Sequence, residues 1–344
     1  MLLSSDWHLD EDPDNEYRWL IWEDVRAQIR GGQKLVYMLG DLGDKKDRHG
    51  GEFANRVIDE IDKTCELGVE LHGEDFAFVF IPGNHDRSIK GRAYWRMINK
   101  LSHACAIFLE EPTRSGDQWF LPWSADPATD WADLDYDGIK VVFMHQTLHG
   151  ARAEGAGHRE MEGLPGIPKF PADVLVYSGD IHLPQVVPWG ADVVYVGAPH
   201  TVRFGDEHDC RMLVLDESTY EVTDIVFRNH VPIKMVAKCG SLAELEALET
   251  QPGDKLKIKF TVPADRIEQW AVDEAEIRRW AAGRGIELAA IEPAIDQHVA
   301  DDEDRPIDVF NYDPVSILLE YAQAEGLDDG LLLAGQDLLK EEPL

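Results

Sequence analysis

Short apolar runs alternate with helical patterns over the first two thirds of the chain. The runs have strand length and are rich in β-branched and aromatic residues, which favours buried strands. They predict strands at residues 34–39, 76–81, 140–144, 174–177, 193–196 and 211–215, with a shorter strand just before Asp6. Apolar residues at helical spacing predict helices at residues 17–30, 53–67 and 92–101. This alternation is typical of a layered α/β domain.

The pattern changes near residue 230, where a second, smaller α+β domain is predicted. Its elements are a strand, a capped helix, a strand and a helix at residues 222–227, 241–248, 255–262 and 268–282. Residues 293–305 are acidic and poor in apolar side chains, which indicates a linker. Two short amphipathic helices are predicted beyond it, at residues 315–324 and 331–339. We therefore divide the chain into a main domain (1–229), a small domain (230–292) and a linker with a helical tail (293–344).

Aspartate, histidine and asparagine recur directly after the predicted strands. Five strand ends carry them, and the residues are Asp6, His8, Asp41, Asn84, His85, His145, Asp180 and His182. In open α/β sheets, ligands bind beyond the carboxyl ends of the strands. Glycines precede Asp41, Asn84 and Asp180 and allow tight turns that aim these side chains inward. Five such groups in register predict one functional site, whereas a single Asp-x-His pair would be a weak signal.

The residue types point to bound divalent metal ions. Nitrogen and oxygen ligands in this mixture suit Mn²⁺, Fe²⁺ or Zn²⁺. Two ions about 3.5–4 Å apart can share a hydroxide and hold a phosphate during in-line displacement. A carboxylate must bridge two cations that lie so close, and Asp41 is the candidate. The sequence contains no nucleophile triad, P-loop or GxGxxG motif with comparable support.

Composition narrows the possible partners and the compartment. Lysine and arginine number 33 against 66 aspartates and glutamates, a net charge of −33. That charge argues against holding nucleic acid by a general positive field, although a local basic groove or a cationic partner stays open. The four scattered cysteines form no CxxC pair and fit a reducing cytoplasm. With no membrane-length apolar run and no signal peptide pattern, we expect a cytoplasmic protein without a membrane partner.

The order of the motifs resembles that of the calcineurin-like metallophosphoesterases. The matching motifs are Asp6-x-His8, Gly40-Asp41-x-x-Asp44, Gly83-Asn84-His85-Asp86, His145 and Gly179-x-x-His182. More narrowly, the chain is similar to the SbcD-type nucleases, the exonuclease subunits of DNA-repair complexes in cells and phages. Residues 5–9, 195–199 and 203–206 are typical of that branch. The resemblance is clear over residues 1 to about 227. The small domain matches only in its position along the chain, where those nucleases carry a capping domain, and the tail matches loosely.

This resemblance implies a fold and a set of ligands. The fold would be α/β, a two-sheet αββα sandwich followed by a small α+β capping domain and a helical tail. Asp6, His8 and His182 would bind the first metal, with Asp41 bridging. The second metal would be bound by Asn84, His145 and Asp180. His85 would protonate the leaving oxygen as a general acid, and Asp86 would orient His85.

One residue departs from the family pattern. The family usually has Gly-His-x-His, whereas this chain has Gly179-Asp180-Ile181-His182. Asp180 adds a negative charge and a harder oxygen, which favours Mn²⁺ or Mg²⁺ over Zn²⁺. The alternative is a second site that is weakened or empty. We therefore expect two divalent ions, with Mn²⁺ first and Mg²⁺, Fe²⁺ or Zn²⁺ as further possibilities.

The resulting expectation is a Mn²⁺-dependent DNA nuclease, exonuclease or endonuclease, that uses a hydroxide shared by two metals. It would act in DNA repair or recombination, or in phage DNA processing. A phage-encoded protein would act in the cytoplasm of the bacterial host. Two alternatives stay open: a stand-alone phosphatase or nucleotide phosphodiesterase on small substrates, and a scaffold that has lost catalysis. By resemblance, the tail helices would bind the coiled-coil base of an SbcC-type ATPase, and a homodimer is a further possible assembly.

Overall fold

The structure is a computed structural model that describes residues 1–46, 49–88, 91–100, 104–153, 160–206, 210–225 and 231–296. Its strands are β1 (Leu2–Ser4), β2 (Leu35–Leu39), β3 (Ala77–Ile81), β4 (Ala106–Phe108), β5 (Thr113–Ser115), β6 (Gln118–Leu121), β7 (Val141–His145), β8 (Leu175–Gly179), β9 (Gln185–Trp189), β10 (Ala191–Tyr195), β11 (Met212–Leu215), β12 (Val222–Ile225), β13 (Lys234–Cys239), β14 (Lys255–Pro263) and β15 (Glu287–Asp296). Its α-helices are α1 (Ile21–Arg30), α2 (Gly51–His72), α3 (Pro127–Asp130), α4 (Leu242–Glu246) and α5 (Trp270–Arg284). Shorter 3₁₀ segments are Pro13–Leu20, Gly73–Asp75, Tyr94–Lys100 and Ala264–Gln269.

Two mixed six-stranded sheets form the larger part of the described chain. The first has the order β12-β11-β1-β2-β3-β4, and the second has the order β5-β6-β7-β8-β10-β9. The parallel strands β1 to β4 lie side by side, as do β6, β7, β8 and β10. The six strands predicted at residues 34–39 through 211–215 are confirmed.

Apolar side chains from both sheets form a shared core between them. Leu3, Leu39 and Ile81 of the first sheet cluster with Phe143 and Tyr177 of the second. The opposite face of the first sheet packs against α1 and α2 through residues of a separate cluster. Each strand of such a sheet is buried on both faces, against the partner sheet on one side and against the helices on the other. The strand sequences are therefore apolar along nearly their whole length. The described chain is therefore α/β, with two helix-flanked sheets packed face to face.

Two of the predicted helices take a different form. The region predicted at residues 17–30 begins as the 3₁₀ segment Pro13–Leu20, with Pro13 at its start and Asp12 as its N-cap, and becomes α1 only at Ile21. In the region predicted as a helix at 92–101, the described segment Tyr94–Lys100 consists of 3₁₀ turns interrupted at Trp95, which has non-helical φ and ψ angles of −81° and 18°. The indole of Trp95 is buried and donates to Asp86 over 3.0 Å, so tertiary contacts override the helical pattern.

The third sheet corrects the predicted composition of the small domain. It has the order β13-β14-β15 and is entirely parallel. The strand predicted at 222–227 is not part of it, because β12 pairs antiparallel with β11 in the first sheet. Two of its strands, β13 and β15, were not predicted, and β15 includes residues 293–296, which were assigned to the linker.

The predicted domain boundaries at residues 229 and 292 stay predictions. The predicted tail helices at 315–324 and 331–339 lie outside the described residues. Across the residues that are described, no helix combines the length and the apolar character that a membrane-spanning segment needs.

Candidate metal centre

Loops from both large sheets bring the predicted residues together at one place. Asp6 and His8 follow β1, and Asp41 follows β2. The segment with Asn84 and His85 follows β3, His145 ends β7, and the segment with Asp180 and His182 follows β8. These are carboxyl ends of neighbouring parallel strands, so their side chains face the same rim of the fold.

The first group of ligand atoms comprises Asp6, His8 and His182. Nε2 of His8 lies 3.1 Å from Nε2 of His182, and both nitrogens lie 4.0 Å from Oδ1 of Asp6. Two imidazole nitrogens that face each other at this distance repel unless a proton or a cation lies between them. Together with the nearby carboxylate, they can hold a metal ion.

The second group comprises Asp41, His145 and Asp180, and Asp6 adds a carboxylate to it, because ligand atoms of Asp6, Asp41 and His145 all lie within 4.8 Å of one another. Nε2 of His145 lies 3.5 Å from Oδ1 of Asp41 and 3.7 Å from Oδ1 of Asp180. The other ring nitrogen of His145 donates to the carbonyl of Leu39 over 2.6 Å. Because a carbonyl only accepts, Nδ1 carries the proton and Nε2 can take a cation from the site side.

The carboxylate of Asp41 lies between the two groups. Its Oδ2 is 3.6 Å from Nε2 of His8, while its Oδ1 is 3.5 Å from Nε2 of His145. Oδ1 also accepts a hydrogen bond from the main-chain N–H of His85 over 2.8 Å. Each oxygen thus faces a different histidine, which is the orientation that a bridging ligand needs.

Burial and charge act together on the titration of these side chains. Burial raises the pKa of Asp6 to about 6 and lowers the pKa of His8 to about 4, so the imidazole of His8 is neutral at pH 7. Burial would also raise the pKa of Asp41, but the imidazoles of His145 and His8 hold it well below its usual range. Burial alone would lower the pKa of His145, yet the carboxylates of Asp41 and Asp180 raise it well above its ordinary value. The carboxylates therefore favour a positive charge at the centre.

Main-chain strain is concentrated at the predicted ligands. Asp6, His8, Asp41 and Asp180 have positive φ angles of 57°, 44°, 57° and 83°. Among the described non-glycine residues, only Tyr220 shares this conformation. Each instance costs about 1–2 kcal/mol. Such outliers persist where the surrounding structure requires them, and they cluster at functional sites.

At three glycines near the centre, a side chain would overlap with a predicted ligand or with a residue next to one. A Cβ atom on Gly40 would lie 2.2 Å from Nδ1 of His145, and one on Gly83 would lie 2.1 Å from Oδ1 of Asp41. A Cβ on Gly179 would lie 2.0 Å from the hydroxyl of Ser5. Of these three glycines only Gly40 has a positive φ, of 93°. Close approach is thus the shared requirement, and turn conformation is an additional one at Gly40.

Besides Nδ1 of His8, which lies 3.1 Å from Oδ1 of Asp44, three buried polar atoms at the centre lack a hydrogen-bond partner among the described residues. They are Oδ2 of Asp6, Oδ1 of Asn84 and Nε2 of His145. Leaving buried polar groups unpaired is costly, and each such group needs an explanation. All three belong to the predicted ligand set, and all three can donate an electron pair to a cation. The residues present therefore fit a bound divalent metal.

The described hydrogen bonds of His85 and Asp86 go to different partners. Nδ1 of His85 lies 2.5 Å from the carbonyl of Asp44, which fixes the ring with its other nitrogen available. The carboxylate of Asp86 is buried and accepts main-chain hydrogen bonds from Asp41 at 2.7 Å and from Gly83 at 2.9 Å. Asp86 therefore organises the loops that carry Asp41 and Asn84, and the described contacts orient His85 through Asp44 instead.

A cavity of about 750 Å³ opens on this centre. His8, Asp41, Asn84, His85, Asp180 and His182 contribute to its wall, as do Trp123, Thr147 and Arg203. Thr147 donates a short hydrogen bond from its hydroxyl to Asp180. Oδ1 of Asp44 lies 3.1 Å from Nδ1 of His8, and Asp44 is a residue of this site to which the sequence analysis assigns no ligand role. Its place in Gly-Asp-x-x-Asp is the signal that could have identified it.

No family model matches this sequence, and no curated protein matches it.

Proposed function

We propose that this protein is a DNA nuclease of the metallophosphoesterase type that hydrolyses phosphodiester bonds with two divalent metal ions. The observation that carries the proposal is the position of Asp41, whose two carboxylate oxygens face His8 and His145 at 3.6 and 3.5 Å. A shared carboxylate flanked by two sets of nitrogen and oxygen donors suits a pair of ions. The two face-to-face sheets are compatible with the αββα sandwich that the resemblance implies.

The ligands divide into two sets that share Asp41. Asp6, His8 and His182 would hold one ion, and Asn84, His145 and Asp180 would hold the other. Asp180 brings a third carboxylate to the centre, which supports Mn²⁺ as the preferred ion ahead of Zn²⁺. When bound, the ions supply Lewis-acid activation of a phosphate ester and of water.

His85 supports the proposed chemistry as the general acid. Its Nδ1 is held by the carbonyl of Asp44, and the ring lies in the wall of the cavity. The free nitrogen can therefore bind a phosphate oxygen and deliver a proton to the leaving oxygen. Asp86 holds the main chain around Asp41 and Gly83 and so keeps the loop of His85 in place.

A second candidate function is a phosphatase or nucleotide phosphodiesterase that acts on small substrates. The net charge of −33 favours it, because a long polyanion is repelled by an acidic protein.

A DNA substrate needs a compensating cation source, and we propose that an SbcC-type ATPase bound by the tail supplies it in the cytoplasm. Removing residues 306–344 should then abolish co-purification with that ATPase and leave metal binding intact.

The proposed activity is tested on two substrates with Mn²⁺ present. Linear duplex DNA and bis(p-nitrophenyl) phosphate are incubated with the wild type, His85→Ala and Asp41→Ala, each with and without the SbcC-type ATPase. We expect hydrolysis of both substrates by the wild type, loss of turnover with retained Mn²⁺ binding in His85→Ala, and loss of Mn²⁺ binding in Asp41→Ala. Hydrolysis of the chromogenic diester alone selects the small-substrate function. Absence of Mn²⁺ binding in the wild type refutes both.

A further inference from the structure

Among the aspartate, glutamate, lysine and arginine side chains in the wall of the cavity over the metal centre, all but one are acidic. Four carboxylates contribute to its wall, and they are Asp41, Asp180, Glu160 and Glu162. Among the described residues of that wall, the one lysine or arginine is Arg203. Outside the metal centre, a phosphate ester that enters this cavity therefore meets repulsion from these carboxylates and attraction at the guanidinium of Arg203.

Buried groups hold the main chain on both sides of Arg203. The buried carboxylate of Asp206 accepts hydrogen bonds from the N–H groups of Val202 at 3.0 Å and of Arg203 at 2.6 Å. The N–H of Gly205 donates to the carbonyl of Lys234 over 2.8 Å. The turn that presents Arg203 is therefore fixed before any ligand binds, which reduces the entropy lost on binding.

Arg18 hydrogen-bonds both to this turn and to a residue of the first group of ligands. Its Nη1 donates to the carbonyl of His8 over 2.5 Å, and its Nη2 donates to the carbonyl of Val202 over 3.2 Å. One buried guanidinium therefore links the residue before Arg203 to a predicted metal ligand. Arg203 thus lies on the His8 side of the cavity. Trp123, whose main-chain N–H donates to the carbonyl of Pro82, lies on the Asn84 side of the cavity.

The guanidinium of Arg203 is exposed, and it has no ion pair or hydrogen bond within the described part of the chain. Neither Glu160 nor Glu162 neutralises it, although both contribute to the same wall. In a chain with twice as many acids as bases, an arginine on a fixed turn that has no carboxylate partner among the described residues is available to an external anion. The planar fork of a guanidinium matches two oxygens of a phosphate.

We propose that Arg203 binds a phosphate group next to the scissile one, on the His8 side of the centre. The inference rests on the proposed phosphodiester hydrolysis and specifies its substrate: a strand with at least two linked phosphates, as in a nucleic acid. A substrate with a single phosphate cannot occupy the metal centre and the Arg203 position together. Arg203 is thus a specificity-determining residue.

The inference is tested with Arg203→Ala, Arg203→Lys and a matched control, Arg278→Ala. The control removes the same charge from α5, where Arg278 pairs with Glu274 at 2.6 Å. Values of kcat/KM are measured with Mn²⁺ on a single-stranded oligonucleotide and on bis(p-nitrophenyl) phosphate. We expect the loss in Arg203→Ala to be about tenfold larger on the oligonucleotide than on the one-phosphate diester, mainly through KM. Arg203→Lys should recover part of it, because a lysine keeps the charge without the fork.

A binding measurement separates this inference from the catalytic proposal. A fluorescein-labelled single strand is titrated against His85→Ala, with and without Arg203→Ala, over a series of salt concentrations. Loss of one phosphate contact should reduce the slope of log K against log salt by about 0.7. Equal slopes, or equal rate losses on both substrates, overturn the role of Arg203. If Arg203→Ala changes the slope but the wild type hydrolyses neither substrate, the phosphate contact is supported and the proposed function is refuted.

Discussion

The imidazole of His200 donates from Nε2 to the main-chain carbonyl of Trp7 over 2.6 Å. Trp7 lies between Asp6 and His8, two predicted ligands with positive φ angles. Burial lowers the pKa of His200 well below its ordinary value, so the ring is neutral and keeps one N–H for this bond. A side chain that touches no ligand atom thus stabilises the strained segment that carries two of them.

Substitution of His200 should therefore weaken metal binding. We expect His200→Ala to lower the affinity for Mn²⁺ by about tenfold, the lower end of the range for groups that support ligands. His200→Gln should recover much of it, because a glutamine amide can place an N–H near the position of Nε2. Isothermal titration with Mn²⁺ provides the measurement, and far-UV circular dichroism checks the fold. An Ala variant with wild-type affinity contradicts this role.

A methyl group at Gly40 should displace His145. The Cβ of Gly40→Ala would lie 2.2 Å from Nδ1 of His145, so the ring must leave the carbonyl of Leu39. Gly32→Ala is the matched control, because Gly32 has a similar φ of 107° and no atom within 4 Å of its added Cβ. We expect the control to lose about 1 kcal/mol of unfolding free energy, and Gly40→Ala to lose a further 1–3 kcal/mol, about the cost of overpacking.

Urea unfolding and Mn²⁺ titration together test the Gly40 substitution. If His145 is displaced, the Gly40 variant loses both stability and Mn²⁺ affinity, whereas Gly32→Ala loses stability alone. Equal behaviour of the two variants would show that main-chain strain, and not the contact with His145, determines the requirement for glycine.

Asp180 is the residue whose substitution should change the choice of metal. Its Oδ1 lies 3.7 Å from Nε2 of His145, and its other oxygen accepts from Thr147. Asp180→His replaces a hard oxygen with an imidazole, so we expect bound Zn²⁺ to rise relative to bound Mn²⁺. Metal content after dialysis against an equimolar mixture is the measurement. Asp180→Asn, which removes only the charge, should bind less of both ions without this exchange. An unchanged ratio in Asp180→His contradicts a ligand role.

The strands and the ligand cluster could be predicted because their signals are local. Runs such as residues 34–39 are apolar along their whole length, as strands buried on both faces must be. The parallel strands of the two facing sheets have their carboxyl ends at one rim, so Asp41 and His145 meet although 104 positions separate them in the sequence. The α/β class and the set of converging side chains therefore required no knowledge of the loops.

The remainder depends on contacts between distant segments. The strand at 222–225 joins the first sheet because Met212 pairs with Ile225, and a local pattern does not specify that partner. Trp95 leaves helical geometry because Asp86 accepts from its indole. The roles of Asp44, Arg18 and His200 depend on where their side chains meet other loops. Such contacts have no periodic signature in the sequence.

The last prediction concerns the pH dependence of stability at Lys234. Its ammonium group donates to Oδ1 of Asn15 over 2.8 Å, and burial, together with the positive charges of Arg18 and Lys255, lowers its pKa from 10.5 to about 8. Between these two values the unfolded chain keeps a proton that the folded chain has lost. The contribution of Lys234 to the free energy of unfolding should therefore increase as pH rises through this range and stay level below it.

Lys234→Met removes this titration. Urea unfolding of the wild type and the variant from about pH 7 to about pH 10 gives the difference in unfolding free energy at each pH. We expect the difference, wild type minus variant, to rise above about pH 8. Lys238→Met, an exposed lysine on the same strand, serves as the control for loss of one lysine. A difference that stays constant or falls over this range contradicts the assignment, because a lysine with a depressed pKa can only gain stability as it loses its proton.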